Sequence, residues 1–371
     1  MNDALPPLPL PSGMRSRFVD NRHGLKVHFL EAGFVNAGRP AVLLLHGFPE
    51  LAYSWRKVML PLAQAGFHVI APDQRGYGRT TGWNGEYDGD LKSFRLSNLV
   101  IDALGLLTAL DLPSVAAVVG HDFGSPVAAY CALSRPDVFR SVALMSAPFA
   151  GPPALAPEAV DDLHAALARL PRSRKHYQWY YSSRAAEADM RFAPQGLHDF
   201  LRAYYHHKSA DWPGNRPFAL AVRSATEMAK LPDYYVMDLH KTMAETVAPQ
   251  MPSAAHIAAC SWLPDAELAV YAAEFARTGL QGGLNWYRCA TEGVNADLQL
   301  YAGRTIDVPA CFIAGRSDWG ARQSPGALEA MQASACTQMR GCHWVDGAGH
   351  WVQQEQPAEV VRRLLQFIGH H

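Results

Sequence analysis

The sequence predicts an α/β fold, a mostly parallel twisted sheet flanked by helices, with a helical segment inserted into it. Three observations carry the prediction. Short apolar runs bounded by turn residues recur along the chain, stretches with helical periodicity separate them, and this alternation stops near Pro148 and resumes near Val308. A length of 371 residues exceeds the commonest single domain and accommodates one large α/β domain carrying an insertion.

Taken in order, Arg17 to Leu30 alternates apolar and polar residues, as an opening antiparallel pair does. Ala41 to Leu45 is instead continuously apolar, the pattern of a strand covered on both faces. Phe67 to Ala71, Val115 to Gly120, Ser141 to Met145 and Ala310 to Ala314 repeat that pattern, and His343 to Asp346 reads as the last strand. Leu96 to Leu110, Val127 to Leu133 and Ala358 to Ile368 read as helices, giving βαβ units. Residues 1–16, rich in proline, are expected to be a poorly ordered lead-in. Residues 17–150 and 301–371 are expected to form the core. The proline-rich stretch Ala147 to Pro153 marks the exit from it, and residues 151–300 are expected to form a helical cap. Within that cap, residues 176–218 hold ten Phe, Trp or Tyr residues, which points to an apolar ligand or to an ordinary helical core.

Lys plus Arg (33) and Asp plus Glu (34) nearly cancel, so nothing favours nucleic acid or an anionic membrane. The expected partner is a small apolar molecule, and a homodimer is left open. Six cysteines without a C-x-x-C pair suit reduced thiols, so a cytoplasmic location is expected. No apolar run approaches the roughly 18 residues of a membrane span. His206 and His207 are adjacent and point apart, and no H-E-x-x-H occurs, so neither metal nor cofactor is expected.

The chemistry is concentrated at strand ends. The predicted strand ending at Val119 runs into Gly120-His-Asp-Phe-Gly124 and then a helix, the context of a nucleophile elbow, with Asp122 at the nucleophile position. Glycines at 120 and 124 suit the strained backbone and close strand-helix approach of such a turn. Asp122 is expected to be exposed there. His46-Gly-Phe-Pro-Glu50 follows a buried strand, where the Phe48 N–H beside the Phe123 N–H would make an oxyanion hole. Asp73 to Arg79 reads as a loop bracing the site. Beyond the insertion, Asp318 and His350 each follow a strand, and a base needs an orienting carboxylate to fix its tautomer. The order Asp122, Asp318, His350 is the nucleophile, acid, base order of α/β-hydrolases.

With these residues in view, the chain resembles the soluble epoxide hydrolase branch of the α/β-hydrolase superfamily across residues 17–368, through HGFPE, DQRGYG, GHDFG, GRSD and GAGH. The resemblance implies two cap tyrosines that hydrogen-bond the epoxide oxygen, Tyr177 in HYQWYY and Tyr287 in LNWYR, although Tyr180 and Tyr181 lie close enough to replace the first. A phenol suits this role because it donates to a developing alkoxide without carrying charge beforehand. Ser125-Pro126 departs from the second glycine common in family elbows, and Asp233-Tyr-Tyr-Val-Met-Asp238 matches no active-site motif.

Two rivals keep the same residues. A dehalogenase would share the aspartate and histidine, but its haloalkane branch commonly has a Trp, and its fluoroacetate branch an Arg, where this chain has Phe123. A ligand receptor on the hydrolase scaffold is the rival from another class. The complete nucleophile, acid and base set argues against it.

Overall fold

The structure, a computed structural model, describes residues 5–35, 38–155 and 162–369. The chain enters the sheet through β1 (Met14–Asp20), paired antiparallel with β2 (Lys26–Ala32). The ordered chain therefore begins earlier than the sequence suggested. Leu8 and Leu10 pack on the core, so within the described residues the proline-rich stretch is anchored by burial; residues 1–4 lie outside them.

Next come β3 (Ala41–Leu45), α1 (Arg56–Gln64), β4 (His68–Pro72), α2 (Leu96–Ala109), β5 (Ala117–His121), α3 (Gly124–Ser134) and β6 (Val142–Met145). The apolar runs are explained by cover on both faces. Val42 and Leu44 point into a cluster with Val58 and Leu62 of α1, while Leu43 and Leu45 join Leu99, Ala103 and Val127 of α2 and α3 on the other side.

The segment after β6 is mostly helical among its described residues, including α4 (Tyr177–Tyr181), α5 (Leu197–Lys208), α6 (Asp265–Thr278) and α7 (Gln281–Thr291). It is not wholly so. β7 (Arg174–His176) and β8 (Val236–Asp238) form a two-stranded antiparallel ribbon, too short for any periodicity to reveal. The chain then returns to the sheet through β9 (Ala310–Gly315) and β10 (Met339–Val345), and α8 (Pro357–Ile368) closes it against α1.

The sheet order is β1-β2-β4-β3-β5-β6-β9-β10, antiparallel through the β2-β4 pair and parallel from β4 onward. Parallel register aligns the carboxyl ends of β3, β5, β6, β9 and β10, and ligands of open α/β sheets bind outside those ends. Among the described residues no helix is long and apolar enough to cross a membrane, and all six cysteines are free.

Candidate active site

Asp122 follows β5 with φ 51°, a left-handed conformation for a non-glycine residue. The turn is sterically possible because its neighbours lack side chains. A Cβ on Gly120 would stand 2.0 Å from the Gly124 carbonyl oxygen, and one on Gly124 would stand 2.3 Å from that of Leu45. Pro126 sits in the first turn of α3, where proline is tolerated, and Ser125 Oγ donates to the Ala147 carbonyl at 2.6 Å, so the departure from the family elbow leaves the helix intact.

The expectation of an exposed elbow carboxylate is wrong, because the inserted segment covers the strand ends and leaves Asp122 only 8 % exposed. Its two oxygens have different neighbours. Oδ1 accepts the Phe48 N–H at 2.9 Å, and Oδ2 lies 3.3 Å from His350 Nε2, an ion-pair distance without hydrogen-bond alignment. Gly47 is required beside it, since a Cβ there would meet Asp122 Cβ and Oδ1 at 2.4 Å. Burial alone would raise the Asp122 carboxyl, but His350, Lys208 and His121 outweigh it and hold it below the ordinary carboxylate range. Asp122 is thus ionised at neutral pH.

His350 Nδ1 sits 3.1 Å from Asp318 Oδ1 and 2.9 Å from Ser146 Oγ, and the ring is 1 % exposed. Asp318 also accepts the Gly320 N–H at 2.7 Å; burial pushes its carboxyl up, yet His350, Ser146 and that amide together bring it below the usual value. Phe123 N–H, the second expected oxyanion donor, belongs to the residue after Asp122 in the same elbow.

Tyr177 and Tyr287 line a cleft of about 190 Å³ together with Asp122, Phe123, Gln323 and Arg223. Their rings are 5.8 Å apart. Burial and the nearby Asp122 charge push both phenols well above the ordinary tyrosine value, so they remain protonated donors. Tyr177 Oη donates to Gln323 Oε1 at 3.3 Å, whereas Tyr180 donates to Asp189 and Tyr181 to Tyr204, outside the cleft lining.

The Asp73 to Arg79 loop braces the site as expected. Asp73 accepts the Ala52 and Arg79 N–H groups, Gln74 Nε2 donates to the His46 carbonyl, and Trp286 Nε1 donates to the Arg75 carbonyl, tying α7 to the core.

Sequence reading missed four residues. Ser146, also in left-handed backbone at φ 67°, gave no signal beyond its position one past a strand. Glu50 and His121 lie inside recognised motifs, yet their pairing was not evident. His121 Nδ1 donates to Glu50 Oε2 at 2.6 Å and Nε2 donates to the His350 carbonyl at 2.7 Å, so both ring nitrogens carry protons. Burial opposes that charge, but Glu50 prevails and takes His121 up to about 9. The fourth, Lys208, ends α5 as a buried residue whose carbonyl accepts the His350 N–H at 2.9 Å. Among the described residues no group of three His, Cys, Asp or Glu side chains is arranged to hold a metal.

Fold and site together define an α/β hydrolase with an aspartate at the elbow. Residues 40–219 match the family described as alpha/beta hydrolase fold. Among curated proteins the chain is 34 % identical over 360 residues to epoxide hydrolase A of Mycobacterium tuberculosis, covering 95 % of this chain and 96 % of the relative. It is also 31 % identical over 347 residues to an epoxide hydrolase of Caballeronia sordidicola, covering 93 % of this chain and 91 % of the relative. Among solved structures, an epoxide hydrolase from an endophytic Streptomyces superposes with a TM-score of 0.76 at 31 % identity, covering 97 % of this chain and 96 % of that one. The chain belongs to the epoxide hydrolase family.

Proposed function

We propose that this protein hydrolyses small, largely apolar epoxides to vicinal diols through an ester on Asp122, with residues 151–300 acting as a cap over the strand ends. The observation that carries the reading is the double environment of Asp122, one oxygen on the Phe48 N–H and the other 3.3 Å from His350 Nε2, in a cleft shared with two buried phenols.

In the first step an Asp122 oxygen attacks an epoxide carbon and that carbon's bond to the ring oxygen breaks. Tyr177 and Tyr287 donate to the oxygen as its charge develops. In the second step His350 takes a proton from water as the water oxygen adds to Cγ of Asp122, with Asp318 holding the Nδ1 proton. The Phe48 and Phe123 N–H groups receive the oxyanion. Collapse expels the diol oxygen, which takes the proton from His350. The water's second proton, left on the re-formed Asp122 carboxyl, replaces the one the tyrosines gave to the ring oxygen, so that Asp122 returns as a carboxylate and the diol leaves neutral. Neither metal nor cofactor is invoked, and every group named belongs to one chain, so the reading needs no partner subunit.

A dehalogenase reading is less well supported. Phe123 offers a leaving halide no side-chain N–H, and the indole N–H of the neighbouring Trp286 is committed to the Arg75 carbonyl at 3.0 Å. A single turnover of a styrene-type epoxide in oxygen-18 water tests the proposal. The label is expected in the Asp122 side chain, and label found only in the first-turnover diol refutes it.

A further inference from the structure

The backbone of His350 is held at both its polar groups. Its N–H donates to the Lys208 carbonyl at 2.9 Å, and its own carbonyl accepts from the His121 ring at 2.7 Å. The N–H groups on either side of it converge on one carboxyl. Gly349 donates to Oε2 of Glu355 at 2.9 Å, and Trp351 donates to Oε1 at 3.0 Å. Oε2 also accepts the Ala210 N–H at 2.8 Å, from the inserted segment 145 residues away in sequence.

A simpler role covers only part of this. Glu355 ends the single helical turn Val352–Glu355 and reaches back to the N–H of Trp351, the residue before that turn. Capping a turn accounts for that bond. It does not account for Oε2, whose two donors both lie outside the turn. The inserted segment and the histidine loop meet there backbone to backbone, since a Cβ on Gly349 would stand 2.5 Å from the Ser209 carbonyl carbon and 2.6 Å from the Ala210 nitrogen. Glu355 bonds to both sides of that junction.

The two reacting groups of the protein are positioned by different parts of the chain. Asp122 is fixed through the elbow, by the close contacts at Gly120 and Gly124 and by the Phe48 N–H, none of which belongs to the histidine loop. The imidazole must instead be placed by its own loop, with Nε2 at 3.3 Å from Asp122 Oδ2. Misplacing a reacting group by about 1 Å can cost about 10²-fold in rate.

We infer that Glu355 is a positioning residue for ester hydrolysis: it ties the amides flanking His350 to each other and to Ala210 of the inserted segment, and so sets where the base stands against the Asp122 ester. The inference rests on the reading of His350 as the base of that step.

The test measures both half-reactions of a styrene-type epoxide, following formation and decay of the Asp122 ester by rapid-quench mass spectrometry. In Glu355→Gln the carboxamide offers one accepting oxygen where the carboxyl offers two, so its NH2 faces a backbone N–H and at least one flank of His350 is released. Ester decay is expected to slow by about 10-fold to 10²-fold while ester formation stays nearly native, so that ester accumulates during turnover. A purely structural role would lower the melting temperature and leave the ratio of the two rates native. A native ratio, whether or not both rates fall, overturns the inference, and so does a loss confined to ester formation. If Glu355→Gln does not fold, Glu355→Asp, whose arm is shorter by one bond of about 1.5 Å, is read in the same way. Failure of both to fold overturns the inference, because the carboxyl would then serve the fold and not the reaction. His350→Gln separates the two levels. If it turns over normally, the base reading itself is wrong, whereas an ester that stalls in His350→Gln beside a native ratio of rates in Glu355→Gln refutes only the role of Glu355.

Discussion

Replacing His350 by Gln separates the two half-reactions, because only one of them needs a base. Asp122 is held ionised chiefly by His350, and in the variant Lys208, His121 and the Phe48 N–H at 2.9 Å remain to support the carboxylate, so attack on the epoxide proceeds without proton removal. Glutamine fills much of the imidazole's volume and can donate to Asp318, but it cannot accept a proton from water. Loss of a positioned general base costs about 10² to 10⁴ in rate. If the two steps are balanced in the native enzyme, even the lower figure leaves about 99 % of the variant as ester at saturating substrate. Intact-protein mass spectrometry should therefore find about one equivalent of adduct, shifted by the whole mass of the epoxide because ring opening loses no leaving group. A haloalkane would add only its alkyl part. A variant that binds a good epoxide yet never becomes alkylated would show that Asp122 does not act independently of His350, and the division of labour would have to be abandoned.

Two further outcomes are expected. Tyr177→Phe and Tyr287→Phe should each slow ester formation by about 10²-fold to 10³-fold, the usual loss for one donor to a developing oxyanion, and the double variant should be nearly inactive; burst kinetics retained in the double variant would remove both tyrosines from the mechanism. The Glu50–His121 pair should make stability fall on the alkaline side. His121 is raised from 6.5 to about 9 in the folded protein, so its contribution is fully present below 6.5 and lost as pH rises through about 9. Thermal unfolding of Glu50→Gln should lack that slope, and an identical pH dependence in variant and parent would count against the ion pair.

Much of this was written locally. Ala41 to Leu45 announced a strand covered on both faces because burial on each side leaves no place for a polar residue, and the observed strand has the same limits. The elbow was legible in Gly120 and Gly124, since only glycine survives contacts of 2.0 and 2.3 Å. Asp122, Asp318 and His350 were legible from position alone, each following a strand whose carboxyl end parallel register brings to one edge.

Other features depended on neighbours distant in the chain. The burial of Asp122 is imposed by a segment that begins more than twenty residues later, so its environment was misjudged from the elbow. The β7–β8 ribbon joins residues 174–176 to 236–238, and three residues per strand carry no periodicity. Through it Tyr177 N–H donates to the Tyr235 carbonyl at 2.8 Å, which gives the unplaced Asp233 to Asp238 motif its task of holding a cleft tyrosine. The protonation of His121 and the setting of Lys208 were invisible for the same reason. Sequence determined which groups this protein possesses and which strand end presents each, because those follow from local sterics and periodicity. Tertiary structure alone decided their charge states, because the energy of a buried proton depends on the groups that long-range folding brings within a few ångströms of it.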